Sequence, residues 1–198
     1  MPGRNGTDAG GDRATRRRLT ELARQAVGER LHPGDTAVDA TAGNGHDTLF
    51  LARQVGEGGR VLAFDIQGEA LAATRARLEA AGVARRVTLL ETSHHRLGAF
   101  VGRLPHPPRA VMFNLGYLPG GDRSRITNPA STLPALESAL ACLAAGGVLS
   151  VIAYPGHPGG HQETEAVEAW FRRHPGFRRI GPHGDPARSP RLFLLRRP

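Results

Sequence analysis

The sequence predicts an α/β fold in which a doubly wound, mostly parallel sheet is covered by helices on both faces. Short, almost continuously apolar runs alternate with longer segments of helical periodicity along most of the chain. Apolar runs of this kind are typical of parallel strands that are buried on both faces. Ligands of such folds bind beyond the carboxyl ends of the strands, so these ends are where we look for functional residues.

The predicted elements follow in chain order from these patterns. Apolar residues at helical spacing predict an amphipathic helix over Leu19–Leu31, and the apolar run Thr36–Ala40 is too short for a helix and is predicted as the first strand. The other apolar runs predict strands over residues 60–65, 87–90, 110–114, 148–153, 177–180 and 192–195. The other periodic segments predict helices over residues 46–55, 71–81, 94–101, 133–144 and 164–174. A long loop rich in glycine and polar residues is predicted over residues 115–131.

Composition limits the class of protein and its partners. Residues 1–18 contain few apolar side chains, so we predict a disordered, arginine-containing arm followed by a single domain over residues 19–198. The 198 residues carry a net charge of +8, which favours an anionic partner, although the exclusive use of Arg as the basic residue is also what GC-rich codons produce. The single cysteine, Cys142, excludes an intramolecular disulfide and a cysteine-based zinc site. We expect no bound metal, no membrane span and no signal peptide, and a cytoplasmic monomer or homodimer.

A glycine turn after the first strand predicts a nucleotide-type cofactor. Gly43 and Gly45 allow a close approach of the backbone to a ligand, and Asp65 at the end of the next strand is placed to accept hydrogen bonds from ribose hydroxyls. The third glycine of a dinucleotide fingerprint is replaced by Thr48, and the turn opens with Asp39, a carboxylate that suits an ammonium group better than a pyrophosphate. The pattern therefore favours S-adenosylmethionine over NAD. Asp39 or Asp65 alone is equally typical of a turn or helix cap.

The third strand is followed by two residues that can contact a base. Ser93 and His94 are placed to hydrogen-bond an adenine, although a helix cap followed by surface imidazoles is about as well supported by the pattern. His94 and His95 are adjacent and point in different directions on a helix, which disfavours a metal pair.

The ends of the fourth and fifth strands predict the substrate pocket. Asn114 can accept a hydrogen bond from an amine, and Asp122 is a candidate to stabilise an ammonium group that forms as a methyl group arrives. Tyr117 is placed to stack on a base, while Arg123 and Arg125 are candidates for binding phosphates. Each of these last three residues taken singly is at least as typical of a core aromatic or a solvated loop.

The turn after the fifth strand is the expected second wall of this pocket. Tyr154 and His157 lie in that turn, beside the loop after the fourth strand in a sheet of this type. His157 is a candidate base, although a single loop histidine is more often simply exposed.

Four stretches together resemble a family of small bacterial class I methyltransferases labelled rRNA-methylase-like. They are Asp39–Thr48, His94–His95, Asn114–Asp122 and Tyr154–His157. The family is associated with methylation of the aminomethyl group on the tRNA wobble uridine, which gives 5-methylaminomethyl-(2-thio)uridine. The resemblance covers roughly residues 19–195.

The resemblance implies a Rossmann-like, seven-stranded sheet whose last strand is antiparallel, and a tRNA anticodon stem-loop as the partner. It implies S-adenosylmethionine bound near Asn44, Asp65, Gln67, Ser93 and His94, and we include Asp47 of the same glycine turn with them. The sequence departs from the family at Arg123–Thr127, where the family has Lys and Ser followed by Ile and Thr, and at Ala187–Pro190.

The implied reaction is an in-line methyl transfer from a sulfonium to a neutral primary amine. Positioning of the amine and the electrostatics of its acceptor, Asn114, are expected to supply most of the rate gain. The rival hypotheses are a methyltransferase that acts on rRNA or a small-molecule amine, an RNA-binding module without activity, and a dehydrogenase.

Overall fold

The computed structural model describes residues 8–116, 126–181, 185 and 187–198, with side chains from residue 14 onward. The described helices are α1 (Asp8–Gly28), α2 (His46–Gln54), α3 (Gly68–Ala80), α4 (Leu97–Val101), α5 (Pro129–Cys142) and α6 (Gly160–Arg172). The described strands are β1 (Thr36–Asp39), β2 (Arg60–Asp65), β3 (Val87–Glu91), β4 (Ala110–Asn114), β5 (Val148–Ala153), β6 (Arg178–Ile180) and β7 (Arg191–Arg196). Short 3-10 turns precede β3 and α4.

The described strands form one sheet in the order β3-β2-β1-β4-β5-β7-β6. Neighbouring strands are parallel from β3 to β5, and β7 runs antiparallel to β5 and to β6. The predicted doubly wound sheet with an antiparallel last strand is therefore confirmed. Strand order reverses between β1 and β4, and the carboxyl ends of these two strands, at Asp39 and Asn114, flank the point where ligands of such sheets bind.

Apolar side chains cover both faces of the sheet. On one face α4, α5 and α6 bury Phe64, Trp170 and Phe193, while on the other face α1, α2 and α3 bury Leu19 and Leu51. Side chains of this size stabilise the fold by about 1.5–3 kcal/mol each when fully buried. The sheet that carries the strand ends is thus held rigidly between two helical layers.

The structure extends the first helix well before its predicted start at Leu19. Helix α1 begins at Asp8, so residues 8–18, expected to be disordered, are helical. The guanidinium of Arg16 lies 5.0 Å from the centre of the Tyr154 ring, and Arg17 pairs with Glu21 one helical turn away. Apolar periodicity does not detect a helical turn that is held by contacts of polar side chains.

Three other helices also begin about one turn before their predicted first residues. Helix α3 begins at Gly68, α5 at Pro129 and α6 at Gly160. Asn128 caps α5 by accepting the backbone N–H of Ser131, and Pro129 follows at the first helical position. Capping residues are polar or lack a backbone donor, so a search for apolar residues places the helix start too late.

Within the described part of the chain, no helix is both long and apolar enough to cross a lipid bilayer. The same residues contain no cluster of three or more histidine, cysteine or acidic side chains that could hold a metal ion.

Candidate active site

A cavity of about 630 Å³ opens at the carboxyl ends of the parallel strands. Its walls come from the turn between β1 and α2, from the ends of β2, β3, β4 and β5, and from Arg16 of α1. The predicted site residues that line it are Gly43, Asn44, Asp47, Asp65, Gln67, Ser93, His94, Asn114, Tyr154 and His157. Chain segments distant in sequence therefore meet at the switch point between β1 and β4.

The glycine turn packs directly against α3. Gly43 and Gly45 have positive φ angles of 52° and 77°. A Cβ atom at Gly45 would lie 2.8 Å from the Cα and Oγ1 atoms of Thr74, and the Thr74 hydroxyl donates to the carbonyl of Gly43 at 3.0 Å. Gly45 does not itself line the cavity; its lack of a side chain lets the turn approach α3 and present Gly43 and Asn44 to the cavity.

Asp65 has the geometry expected of an acceptor for ribose hydroxyls. Its Oδ2 accepts the backbone N–H of Gly43 at 2.8 Å, and its Oδ1 accepts the backbone N–H of Gln67 at 3.0 Å. Burial raises the pKa of Asp65 above its ordinary value, while these backbone donors oppose the rise. Each oxygen retains acceptor capacity on the cavity side, which two adjacent hydroxyl groups can use.

The turn is poorly suited to a pyrophosphate. The backbone N–H of Gly43 is already used by Asp65, and that of Gly45 donates to the carbonyl of Ala42 at 2.8 Å. Phosphate-binding turns need such N–H groups directed at the ligand. The carboxyl groups of Asp47 and Asp65 line the same cavity and would repel an anion.

Asp39 lies beneath the turn and does not line the cavity. It is 1% exposed, and its oxygens accept the hydroxyl of Thr48 at 2.6 Å and the backbone N–H of Thr41 at 3.1 Å. Burial, followed by the charge of Asp47, raises the pKa of Asp39 to about 7. The expected direct contact between Asp39 and the ammonium group of a cofactor is corrected here, because its carboxyl group is enclosed and serves to hold the turn.

His94 and Ser93 lie in the cavity wall where we expected the adenine of the cofactor to bind. The His94 ring is buried, packs edge-to-face on Phe113 at 5.7 Å, and places its Nε2 atom 3.5 Å from the Thr132 hydroxyl. Burial lowers the pKa of His94 to about 4, so its imidazole is neutral at physiological pH. Ser93 caps the following 3-10 turn by accepting the N–H of His95.

Asn114 is the polar centre of the opposite wall. Its backbone N–H donates to the Thr41 hydroxyl at 2.7 Å, which fixes the end of β4 against β1. Its side-chain Nδ2 donates to Oδ2 of Asp47 at 3.0 Å, and its Oδ1 accepts the Tyr154 hydroxyl at 2.9 Å. The turn after β5 thus lines the cavity beside Asn114, with the Tyr154 hydroxyl bonded directly to Asn114.

The other predicted residues of the substrate side lie outside the described residues. They are Tyr117, Asp122, Arg123 and Arg125. The two ends of their loop are well defined, because Gly116 and Thr127 exchange hydrogen bonds of 2.8 and 3.0 Å.

Glu163 binds Thr127, at the end of this loop, and the sequence analysis did not identify it. It is 2% exposed, and its two oxygens accept the hydroxyls of Thr127 at 2.6 Å and Thr132 at 2.7 Å. Burial raises the pKa of Glu163 above its ordinary value, and the two threonine hydroxyls oppose that rise. No local pattern marks this residue in the sequence, because its partners lie more than thirty positions away.

A sheet of this topology, with a glycine turn, a ribose-type acid and a polar wall at its switch point, defines a Rossmann-like methyltransferase fold. Residues 61–176 match the family model described as "Putative rRNA methylase", and the chain belongs to this family. A curated relative in Arabidopsis thaliana, "tRNA (mnm(5)s(2)U34)-methyltransferase, chloroplastic", is 42% identical over 163 residues, which cover 78% of this chain. The match spans 59% of that relative's own length.

Two solved structures extend the likeness over most of the chain. A protein from Clostridium thermocellum described as a "putative rRNA-methylase" is 37% identical, with a TM-score of 0.84 over 90% of this chain and 96% of its own. A "putative methyltransferase" from Streptococcus mutans, solved in complex with SAH, is 33% identical, with a TM-score of 0.77 over 90% of this chain and 97% of its own.

Proposed function

We propose that the chain is an S-adenosylmethionine-dependent N-methyltransferase that methylates the aminomethyl group of the tRNA wobble uridine. The observation that carries this proposal is the Asn114 side chain, whose carbonyl oxygen faces the cavity wall formed by Tyr154 while its amide nitrogen is bound by Asp47. A carbonyl oxygen at this place can accept an N–H of an incoming amine. The curated relative is named for the modification that this reaction produces.

The cofactor half of the cavity supports S-adenosylmethionine. Asp65 and Gln67 would hold the ribose, Ser93 and His94 would face the adenine, and the glycine turn at Asn44 would carry the methionine portion. The N–H groups of Gly43 and Gly45 are already used within the protein, which makes the turn poorly suited to a pyrophosphate and argues against NAD. The Streptococcus mutans relative contains SAH, the product form of the same cofactor. When bound, S-adenosylmethionine supplies an electrophilic methyl group on a positively charged sulfur.

The part of the cavity around Asn114 supports a mechanism in which the substrate amine is positioned by the protein and is not deprotonated by a strong base. The substrate amine must lose its ammonium proton to solvent before it can react, since only the neutral nitrogen has a free electron pair. Asn114 then accepts one N–H of this amine and thereby directs the electron pair away from itself. As the bond from this nitrogen to the methyl carbon forms, the methyl carbon–sulfur bond would break, its electron pair would remain on sulfur and the positive charge would pass to the nitrogen. The negative end of the Asn114 carbonyl dipole stabilises that charge.

The RNA partner is supported by charge and by the surroundings of the cavity. The chain has 26 basic and 18 acidic residues, and Arg16 and His157 are among the residues at the cavity. We propose the anticodon stem-loop as the partner, with Tyr117 stacking on a base, Arg123 and Arg125 binding phosphates, and Asp122 near the amine, as the sequence predicts.

The experiment is methylation of tRNA that carries 5-aminomethyl-2-thiouridine, followed by nucleoside mass spectrometry. We expect this nucleoside to gain the mass of one methyl substitution in the presence of S-adenosylmethionine. Asn114→Ala is expected to lower kcat by roughly 100-fold or more, as loss of one preorganised polar group does elsewhere. Incubation of rRNA and of small primary amines under the same conditions tests the rival substrates. Methylation of one of those, with tRNA unchanged, contradicts the proposal.

A further inference from the structure

Helix α1 contacts the active site through a partly buried ion pair. Arg24 of α1 places its Nε atom 2.8 Å and a terminal nitrogen 2.7 Å from Oδ1 of Asp47, at the start of α2. The Asp47 side chain is 10% exposed and that of Arg24 is 31% exposed. Oδ1 of Asp47 is thus engaged by Arg24, while its Oδ2 is bound by Asn114.

This arrangement decides which way the Asn114 amide points. A carboxylate can only accept hydrogen bonds, so the side-chain atom of Asn114 that faces Asp47 must be the amide nitrogen. The carbonyl oxygen is then forced to the opposite side, toward the Tyr154 hydroxyl. A tyrosine hydroxyl can donate or accept, so Tyr154 alone would not select between the two orientations.

Arg24 also brings a positive charge to Asp47, which is one of two neighbouring acids. Asp47 lies close enough to Asp39 that its charge is the second largest cause of the raised Asp39 pKa. The groups that face Asp47 include Arg24 from α1, the neighbouring His46 of α2, Asp39 from β1 and Asn114 from β4. Among these described groups only Arg24 is a permanent cation, and its two contacts with Oδ1 fix the position of the Asp47 carboxyl group.

We propose that Arg24 and Asp47 are positioning residues, which hold the Asn114 carbonyl toward the methyl-accepting amine. This inference rests on the proposed function, and it replaces the cofactor-binding role that the sequence predicted for Asp47. Helix α1 lies outside the family match at residues 61–176. Under this inference, α1 contributes the positioning residue Arg24 to the site.

The kinetic test separates a positioning role from cofactor binding. Asp47→Asn and Arg24→Gln are expected to lower kcat for tRNA methylation by about 10- to 100-fold, the scale that misplacement of a reacting group produces. The Kd for S-adenosylmethionine, measured by calorimetry, is expected to change less than about twofold, since the ribose and adenine contacts are untouched. Arg24→Lys keeps the charge and should recover part of the lost kcat.

The matched control is Arg17→Gln on the same helix. Arg17 pairs only with the exposed Glu21 among described residues, so this variant should retain the kcat and the Kd of the parent protein. A Kd for S-adenosylmethionine that rises tenfold or more in Asp47→Asn would show that Asp47 binds the cofactor, which overturns the inference. An unchanged kcat in both variants overturns it as well.

A spectroscopic test stands even if the tRNA substrate is wrong. The chain has four asparagines, at positions 5, 44, 114 and 128, so labelling with ¹⁵N-asparagine gives four side-chain amide pairs. The Asn114 pair, assigned by its loss in Asn114→Ser, should shift in Arg24→Gln and in Asp47→Asn, whose new asparagine adds a fifth pair, but not in Arg17→Gln. If it stays in place in Asp47→Asn, the inference fails whatever the substrate; if it shifts while the parent protein leaves tRNA unmethylated, only the proposed function fails.

Discussion

Replacing Asp39 by asparagine should remove a large part of the pH dependence of folding. Asp39 is fully enclosed beneath the glycine turn, and burial with the charge of Asp47 raises its pKa from 3.8 to about 7. The unfolded chain loses this proton near the ordinary pKa, whereas the folded chain keeps it until about pH 7. Asparagine has the same shape without a charge, so Asp39→Asn retains an acceptor for the backbone N–H of Thr41.

The size of the effect follows from the pKa difference. A rise from 3.8 to about 7 corresponds to about 4 kcal/mol of folding free energy. The folded state binds more protons than the unfolded state over this range, so the contribution is fully present below pH 3.8 and is lost as the pH rises through about 7. About 3 kcal/mol of that loss falls between about pH 5 and about pH 8.

The assay is urea-induced unfolding at several pH values across that window. The free energy of unfolding of Asp39→Asn, relative to the parent protein, should increase by about 3 kcal/mol from about pH 5 to about pH 8. Asp35→Asn, in the turn before β1, controls for the loss of one carboxylate at a site that is not enclosed. A relative stability that is constant across the window would refute the reasoning, because it would mean that Asp39 ionises in the folded protein as easily as in the unfolded chain.

Three further outcomes test the framework of the site. Gly45→Ala should destabilise the fold by about 1–3 kcal/mol more than Gly82→Ala in urea unfolding. Both glycines have a positive φ, but of these two only a Cβ at Gly45 would meet α3, so equal losses of stability would contradict the close approach. Glu163→Ala should cost about 2–4 kcal/mol by leaving the buried Thr132 hydroxyl and the half-buried Thr127 hydroxyl without an acceptor, and a loss below about 1 kcal/mol would contradict this contact geometry. The His94 ring should show no NMR titration between about pH 5.5 and about pH 8, since its pKa is lowered to about 4; a midpoint near its ordinary value would contradict its burial.

The centre of the sheet could be predicted from the sequence because β2, β4 and β5 are almost entirely buried. The predicted strands at residues 60–65, 110–114 and 148–153 match β2, β4 and β5 at both ends. Helix starts were less predictable, as α5 shows, because its first turn is held by the Asn128 cap and Pro129 rather than by apolar residues.

The candidate site could be predicted only as far as its local motifs reach. The strand-turn-helix order places Asn44 and Asp65 at the carboxyl edge of the sheet. This placement does not depend on which side chains pack beneath the turn. Whether an acid faces the cavity or lies beneath it depends on packing, and this is why Asp39 was assigned to the wrong side. The bonds from Asp47 to Arg24 and Asn114 join residues 23 and 67 positions apart, and no pattern in the chain marks them.

The distribution of charge among the acids connects the stability of the turn with its chemistry. Asp65 accepts three backbone N–H groups and Asp47 is paired with Arg24, whereas the described donors to Asp39 are the Thr48 hydroxyl and one backbone N–H. Among these acids, Asp39 is the one whose burial raises the pKa to about 7, so it keeps its proton until about that pH. Asp47 can then remain an acceptor for the Asn114 amide without a second negative charge beneath it. Under the proposed function, the fixed carbonyl oxygen of Asn114 thus depends on a pair of acids, of which Asp39 keeps its proton and Asp47 is paired with the Arg24 guanidinium.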